Sequence, residues 1–237
     1  MTYEHIEFEQ YIQSKEFFDY SPSKPLPEIS QTLEPDVQRP TPSTSDYLVT
    51  FSTRSQSYCV GYVDIVNSTK ISASLSSEKM SQYYEIFLNS MSKIIEKFGG
   101  KVIKNIGDCL LYYFPSVNSS EDGITNCLDS GVAMMGAQSV ISEELALKKL
   151  PKLRYRISSD FGTVILMNTS LSNSVDLIGP PVNMCSKINR YAGDDEFVIG
   201  HDLHQISKKV CGYKFEEIQS CDVGFRYSYP VYKVIAN

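Results

Sequence analysis

Two aspartates stand where a carboxylate needs a reason to be. Asp64 closes the apolar run YCVGYVD, within the segment GYVDIVNST at 61–69. A carboxylate at the end of a buried strand is costly unless it is paired or holds a metal. The loop Ile65–Thr69 leads toward a helix, so the backbone N–H groups around Asn67, Ser68 and Thr69 can cradle phosphates. Asp108 follows Gly107 in IKNIGDCLL. Each aspartate alone has a plainer reading, as a turn residue. Together, at the ends of neighbouring strands, they can grip two divalent ions a few ångström apart, the arrangement that phosphoryl transfer uses. The ligands are hard oxygens, which suits Mg²⁺.

A second set of polar residues lies around these two. Lys104 sits four residues before Asp108, and a third segment runs Asp176-Leu-Ile-Gly-Pro-Pro-Val-Asn183-Met-Cys-Ser-Lys187. Taken singly, Lys104 is an ordinary solvated strand residue, Asp176 a loop residue and Asn183 a helix-face residue.

The elements that position them follow from periodicity. Tyr58–Asp64 reads as a strand. Met80, Tyr83, Tyr84, Phe87, Leu88, Met91, Ile94, Ile95 and Phe98 repeat at three- and four-residue spacing, a long amphipathic helix capped by Ser76 or Ser77 and stopped by Gly99–Gly100. Residues 102–114 read as a hairpin turning at Gly107. A helix over about 121–149 and a strand over 153–167 follow. Pro180–Pro181 opens another helix, expected to end near Ala192–Gly193. Glu196–Ile199 reads as a strand and Leu203–Val210 as a short helix. Two closing strands fall near 213–218 and 226–235. This mixed order predicts an α+β fold with a mixed sheet and helices on one face. Upstream, residues 1–20 read as a short helical segment. Residues 21–55 read as a Pro/Ser/Thr-rich linker or arm, and 56–237 as the globular domain.

Composition bounds the function. The chain has 237 residues, 42% hydrophobic, with a formal charge of −6. That suits a globular core and argues against a nucleic-acid partner. No apolar run reaches the roughly 18–20 residues of a membrane helix. The polar, acidic N-terminus does not read as a secretory signal. The six cysteines form no CxxC pair, so they read as reduced residues of a cytoplasmic protein.

The order of a D-I-x-x-S/T loop, a long amphipathic helix and a K-x-I-G-D hairpin resembles the class III adenylyl and guanylyl cyclases. The Asp176-to-Lys187 segment adds to the resemblance, which covers roughly residues 56–235. It implies the ferredoxin-like-derived cyclase catalytic fold and two Mg²⁺ or Mn²⁺ ions per site. Asp64 and Asp108, with the Ile65 carbonyl, would be the metal ligands. Lys104 and Asp176 would read the purine as the adenine-type pair. Asn183 would position the ribose, with Lys187 as the basic residue beyond it. The resemblance further implies an ATP substrate, cyclic AMP as product, and a homodimer with composite active sites. A guanylate cyclase and a catalytically degenerate nucleotide-binding domain are the alternatives. The sequence departs from the family in three places. Lys187 stands where arginine is usual, and lysine lacks the forked donor geometry; Arg190 lies about one turn further on. Thr163 and Val223 stand where some members carry phosphate-binding cations, with Arg226 three residues beyond Val223.

Overall fold

The computed structural model describes residues 9–18, 49–115, 120–169, 172–221 and 228–237. Eight strands form one sheet, in the order β2-β3-β1-β4-β6-β8-β7, with β5 paired to β4. The strands are β1 (Val49–Ile65), β2 (Lys101–Ile106), β3 (Cys109–Phe114), β4 (Tyr155–Thr169), β5 (Ser172–Ile178), β6 (Glu196–Gly200), β7 (Tyr213–Cys221) and β8 (Tyr229–Ala236). The helices are α1 (Ser68–Ser74), α2 (Ser77–Lys97), α3 (Ser120–Leu147), α4 (Pro180–Asn189) and α5 (His201–Ser207). All neighbours pair antiparallel except β4 and β6, which are parallel. The α+β class and mixed sheet are as expected.

Strand alternation divides the core in two. Cys59, Val63 and Ile65 of β1, Leu110, Tyr112 and Phe114 of β3, and Tyr155 and Ile157 of β4 join the large cluster. There they meet α2, α3 and α5. The intervening residues Val60, Leu111 and Tyr113 face the other way, onto Cys185 of α4. The two long helices therefore share one face, while the short α4 lies against the opposite one. Ser158 Oγ donates to the Cys185 carbonyl at 3.0 Å and fixes α4 to β4.

α2 forms because its apolar positions fall on one stripe: Tyr83, Ile86, Phe87, Met91, Ile94 and Ile95 are all buried. Ser76 Oγ accepts from the Lys79 N–H at 3.4 Å, the expected cap. Gly99, at φ 75°, ends the helix, and the Gly100 N–H bonds back to the Ile95 carbonyl at 2.9 Å. β1 is longer than the apolar run Tyr58–Asp64 and begins at Val49, inside the stretch read as an arm. Its first half pairs with the outer half of β4, from Val49↔Thr169 to Ser57↔Thr163. α4 begins at Pro180, as expected, but ends at Asn189. Beyond it the chain continues as single turns, with the Tyr191 N–H on the Ile188 carbonyl.

Near the N-terminus, residues 9–12 are helical and Lys15–Phe18 forms a 3-10 turn. Ile12 and Phe17 are buried in the large core. Lys93 of α2 donates to the Phe17 carbonyl at 2.8 Å and the Glu16 carbonyl at 3.2 Å. Val223 and Arg226 lie outside the described residues. Among those described, the cysteines assigned are all free, and no helix is long and apolar enough to cross a membrane.

Candidate active site

The β2–β3 hairpin brings the two aspartates together. Gly107, at φ 65°, allows the two-residue turn that carries Asp108. Cys109 then pairs across to Asp64 on β1. Asp108 is thus one residue from the position opposite Asp64, and the two carboxyls share a hydrogen bond. The Asp64 carboxyl is pushed up to about 6, by burial first and then by the charge of Asp108; Arg156 opposes the shift. Burial, Asp64 and Asp108 together push the Cys109 thiol well above its ordinary range. The Ile65 side chain is buried in the core, so only its backbone can face a ligand. Asn67 takes a left-handed conformation, φ 60°, at the start of α1, with no side-chain cap. Asn67 and Thr69 are exposed and Ser68 is half-buried.

A second pair joins two hairpins. Lys104 Nζ of β2 donates to Asp176 Oδ2 of β5 in a close ion pair, and Asp176 Oδ1 accepts from the Leu177 N–H at 2.8 Å. The register of β2 on β3 slips between Val102 and Lys104. Such a bulge re-aims the side chains beside it. Here Ile103 packs into the smaller core while its neighbour Lys104 reaches β5. Tyr62 lies within the electrostatic reach of both ends. Its phenol is pushed up to about 12 by burial first, then by Cys109, Cys185 and Asp176.

Asn183 and Lys187 are both exposed, four residues apart on one face of α4. Arg190 is the C-cap residue. Its guanidinium donates to the Tyr191 hydroxyl at 2.9 Å and lies over that ring, 4.9 Å from the centroid. Thr163 is exposed, with its hydroxyl 3.3 Å from that of Ser57.

Sequence reasoning missed Arg156. It is the β4 residue directly across from Asp64. The alternation in LRYRISSD puts it on the face opposite Tyr155 and Ile157, but its neighbour on β1 is fixed only by the register. Among the described residues no group of three or more His, Cys, Asp or Glu gathers.

Comparison with known proteins agrees with the fold. The family model for the adenylate and guanylate cyclase catalytic domain matches residues 51–234. A cytidylate cyclase from Staphylococcus aureus is 26% identical over 182 residues, 73% of this chain and 43% of that protein. An adenylate cyclase from Anabaena cylindrica is 27% identical over 134 residues, 54% of this chain and 26% of its own length. The chain thus spans less than half the length of either relative. Among solved structures, the adenylyl cyclase CyaB from P. aeruginosa superposes with a TM-score of 0.71 at 24% identity, covering 78% of this chain and 97% of that one.

Proposed function

We propose, from the premise that this chain belongs to the adenylate and guanylate cyclase catalytic domain family, that it converts ATP to 3′,5′-cyclic AMP and pyrophosphate. The observation that carries the choice of base is the Lys104–Asp176 ion pair. It presents a donor beside an acceptor. Adenine offers the complement, a ring nitrogen that accepts and an amino group that donates. Guanine offers a ring N–H beside a carbonyl, which would set donor against donor and acceptor against acceptor.

The donor set fits a divalent cation. Two carboxylates close enough to raise the pKa of one of them repel each other unless a cation lies between. Asp64, Asp108 and the Ile65 carbonyl would hold Mg²⁺ or Mn²⁺, with water or substrate phosphates completing the shell. Bound there, the ions supply positive charge that acidifies the ribose hydroxyl and screens the triphosphate. The chain's own residues do the rest. Lys104 and Asp176 fix the base, and Asn183 orients the ribose. The 3′-oxygen then forms a bond to the α-phosphorus as the bond to the bridging oxygen breaks. The hydroxyl proton leaves to solvent and pyrophosphate carries away the electron pair. Lys187 stabilises the charge that gathers on the α-phosphoryl oxygens. Asn183 and Lys187 face outward on α4, which supports their serving the site of a second copy in a homodimer with composite sites. The free cysteines support a cytoplasmic setting.

One observation favours a second reading, a cytidylate cyclase. The S. aureus relative aligns over 73% of this chain and the Anabaena one over 54%. Cytosine presents the same edge as adenine, an amino donor beside a ring-nitrogen acceptor, so the same ion pair fits both bases. Both readings are tested by incubating the protein with ATP, CTP, GTP and UTP in turn, with Mg²⁺ or Mn²⁺. Cyclic AMP identifies the first and cyclic CMP the second. A preference for GTP or UTP would refute the role given to Lys104 and Asp176.

A further inference from the structure

Residues 9–18 add no strand to the sheet, yet they are built into the domain. Ile12 and Phe17 are buried in the large core, with Tyr11 and Phe18 packed beside them. The Phe17 ring meets Tyr11 edge-on at 5.6 Å between centroids, and Phe18 at 5.0 Å. The segment folds back on itself at Ser14, whose hydroxyl and N–H both donate to the Tyr11 carbonyl, at 2.7 and 3.0 Å. Its last turn is held from outside. The carbonyls that end a helical turn lack partners within it, and a cationic side chain can supply them. Lys93 of α2 does so for Glu16 and Phe17, with its ammonium 5.9 Å from the Phe17 ring centroid.

The helix gripped in this way joins two parts of the site. At its start, the Tyr84 hydroxyl is 2.9 Å from that of Ser72 on α1, and α1 continues directly from the loop after Asp64. α1 has seven residues and buries none of them. A helix that short is not stable alone, so its place is set by what it touches. At its other end α2 stops at Gly99–Gly100 and runs into β2, which carries Lys104. That corner has no slack: a Cβ on Gly100 would lie 2.6 Å from Ile95 and 2.7 Å from Phe114. Displacing α2 therefore disturbs both α1 and β2. We propose that residues 9–18 are a positioning element for the site. By seating α2 they hold the loop after Asp64 and the strand of Lys104 in place, and their withdrawal lowers turnover, although none of the site residues lies among them. The effect on turnover rests on the cyclase reading; the coupling through α2 does not.

The test combines amide hydrogen exchange with cyclic-nucleotide formation, on the full chain, for the wild type, Phe17→Ala and Phe17→Leu. In Phe17→Ala, exchange should speed up not only over residues 9–18 but also over α1 and β2, while β7 and β8 stay as in the wild type. Its kcat/KM per folded molecule should fall roughly tenfold, the scale on which small misplacements act. Phe17→Leu, which keeps an apolar side chain in the slot, should recover most of both effects. Lys93→Met removes the two carbonyl contacts but leaves the aromatic packing. It should show the same pattern more weakly, and it carries the test if Phe17→Ala does not fold. Faster exchange confined to residues 9–18 would overturn the proposal. So would faster exchange spread evenly through β7 and β8, the mark of a general loss of stability, or unchanged turnover in an active enzyme. If α1 and β2 loosen as expected but the wild type makes no cyclic product, the coupling stands and the cyclase reading falls. If the wild type makes product and Phe17→Ala makes it as fast, only this inference falls.

Discussion

Replacing Asp160 with asparagine should remove a pH dependence from the stability of the fold. Asp160 is 1% exposed and sits where three elements meet. One oxygen, Oδ1, accepts from the Phe161 N–H at 2.9 Å and from the Leu203 N–H of α5 at 3.2 Å. The other, Oδ2, accepts from the Tyr229 hydroxyl of β8 at 2.8 Å, and that hydroxyl accepts in turn from the Asp202 N–H at 3.0 Å. Burial outweighs these bonds and lifts the carboxyl from 3.8 to about 7. A raised pKa means that the folded state favours the proton. The stability gained is full below about pH 4 and is lost as the pH rises through about 7. The rise is worth about 4 kcal/mol in total, of which about 2–3 kcal/mol falls between about pH 5 and about pH 8. Asparagine cannot ionise. It also turns one acceptor into a donor, a loss of about 1 kcal/mol that does not vary with pH. Urea denaturation of both proteins at the two pH values separates these effects. The wild type should lose about 2–3 kcal/mol relative to Asp160→Asn on going from pH 5 to pH 8. Parallel pH curves would refute the reasoning.

Three further outcomes follow from the packing and the carboxylate pair. In metal-free protein, Asp108→Asn should bring the Asp64 titration down from about 6, because it removes a neighbouring negative charge; carboxyl-carbon NMR reads it, and an unmoved titration would contradict the pairing. A Cβ on Gly61 would lie 2.3 Å from the buried Tyr112 ring, so Gly61→Ala should cost about 1–3 kcal/mol in urea denaturation; a neutral variant would mean that the ring can shift. Phe17 is fully buried against α2. Phe17→Ala should cost about 3 kcal/mol and speed amide exchange over residues 9–18, whereas unchanged exchange would show that this segment is held some other way.

The parts of the site that a short run of sequence encodes were legible. Gly107 and Asp108 mark their own turn, because only a residue tolerant of positive φ suits that corner. The stripe of α2 and its Ser76 cap could be read from spacing alone. β5 was not legible: SNSVDLI is short, polar and at the sheet edge, so it lacks a strand pattern. Asp176 consequently read as a loop residue, although it lies on a strand. The side of the sheet that α4 covers depends on tertiary packing, since Val182, Cys185 and Ile188 would make an apolar face against either side. Arg156 was hidden for a related reason. Alternation gives its face, but its position beside Asp64 depends on a pairing between residues far apart in the chain.

The central claim is that Asp64 and Asp108 support cyclisation of a nucleotide whose base is read by Lys104 and Asp176. The most direct measurement is cyclic-nucleotide formation from the four nucleoside triphosphates, with Asp108→Ala run beside the wild type. The account predicts cyclic AMP or cyclic CMP from the wild type, little from GTP or UTP, and none from the variant. Product that survives in Asp108→Ala, or a wild type that folds, binds nucleotide and yields no cyclic product, would contradict it.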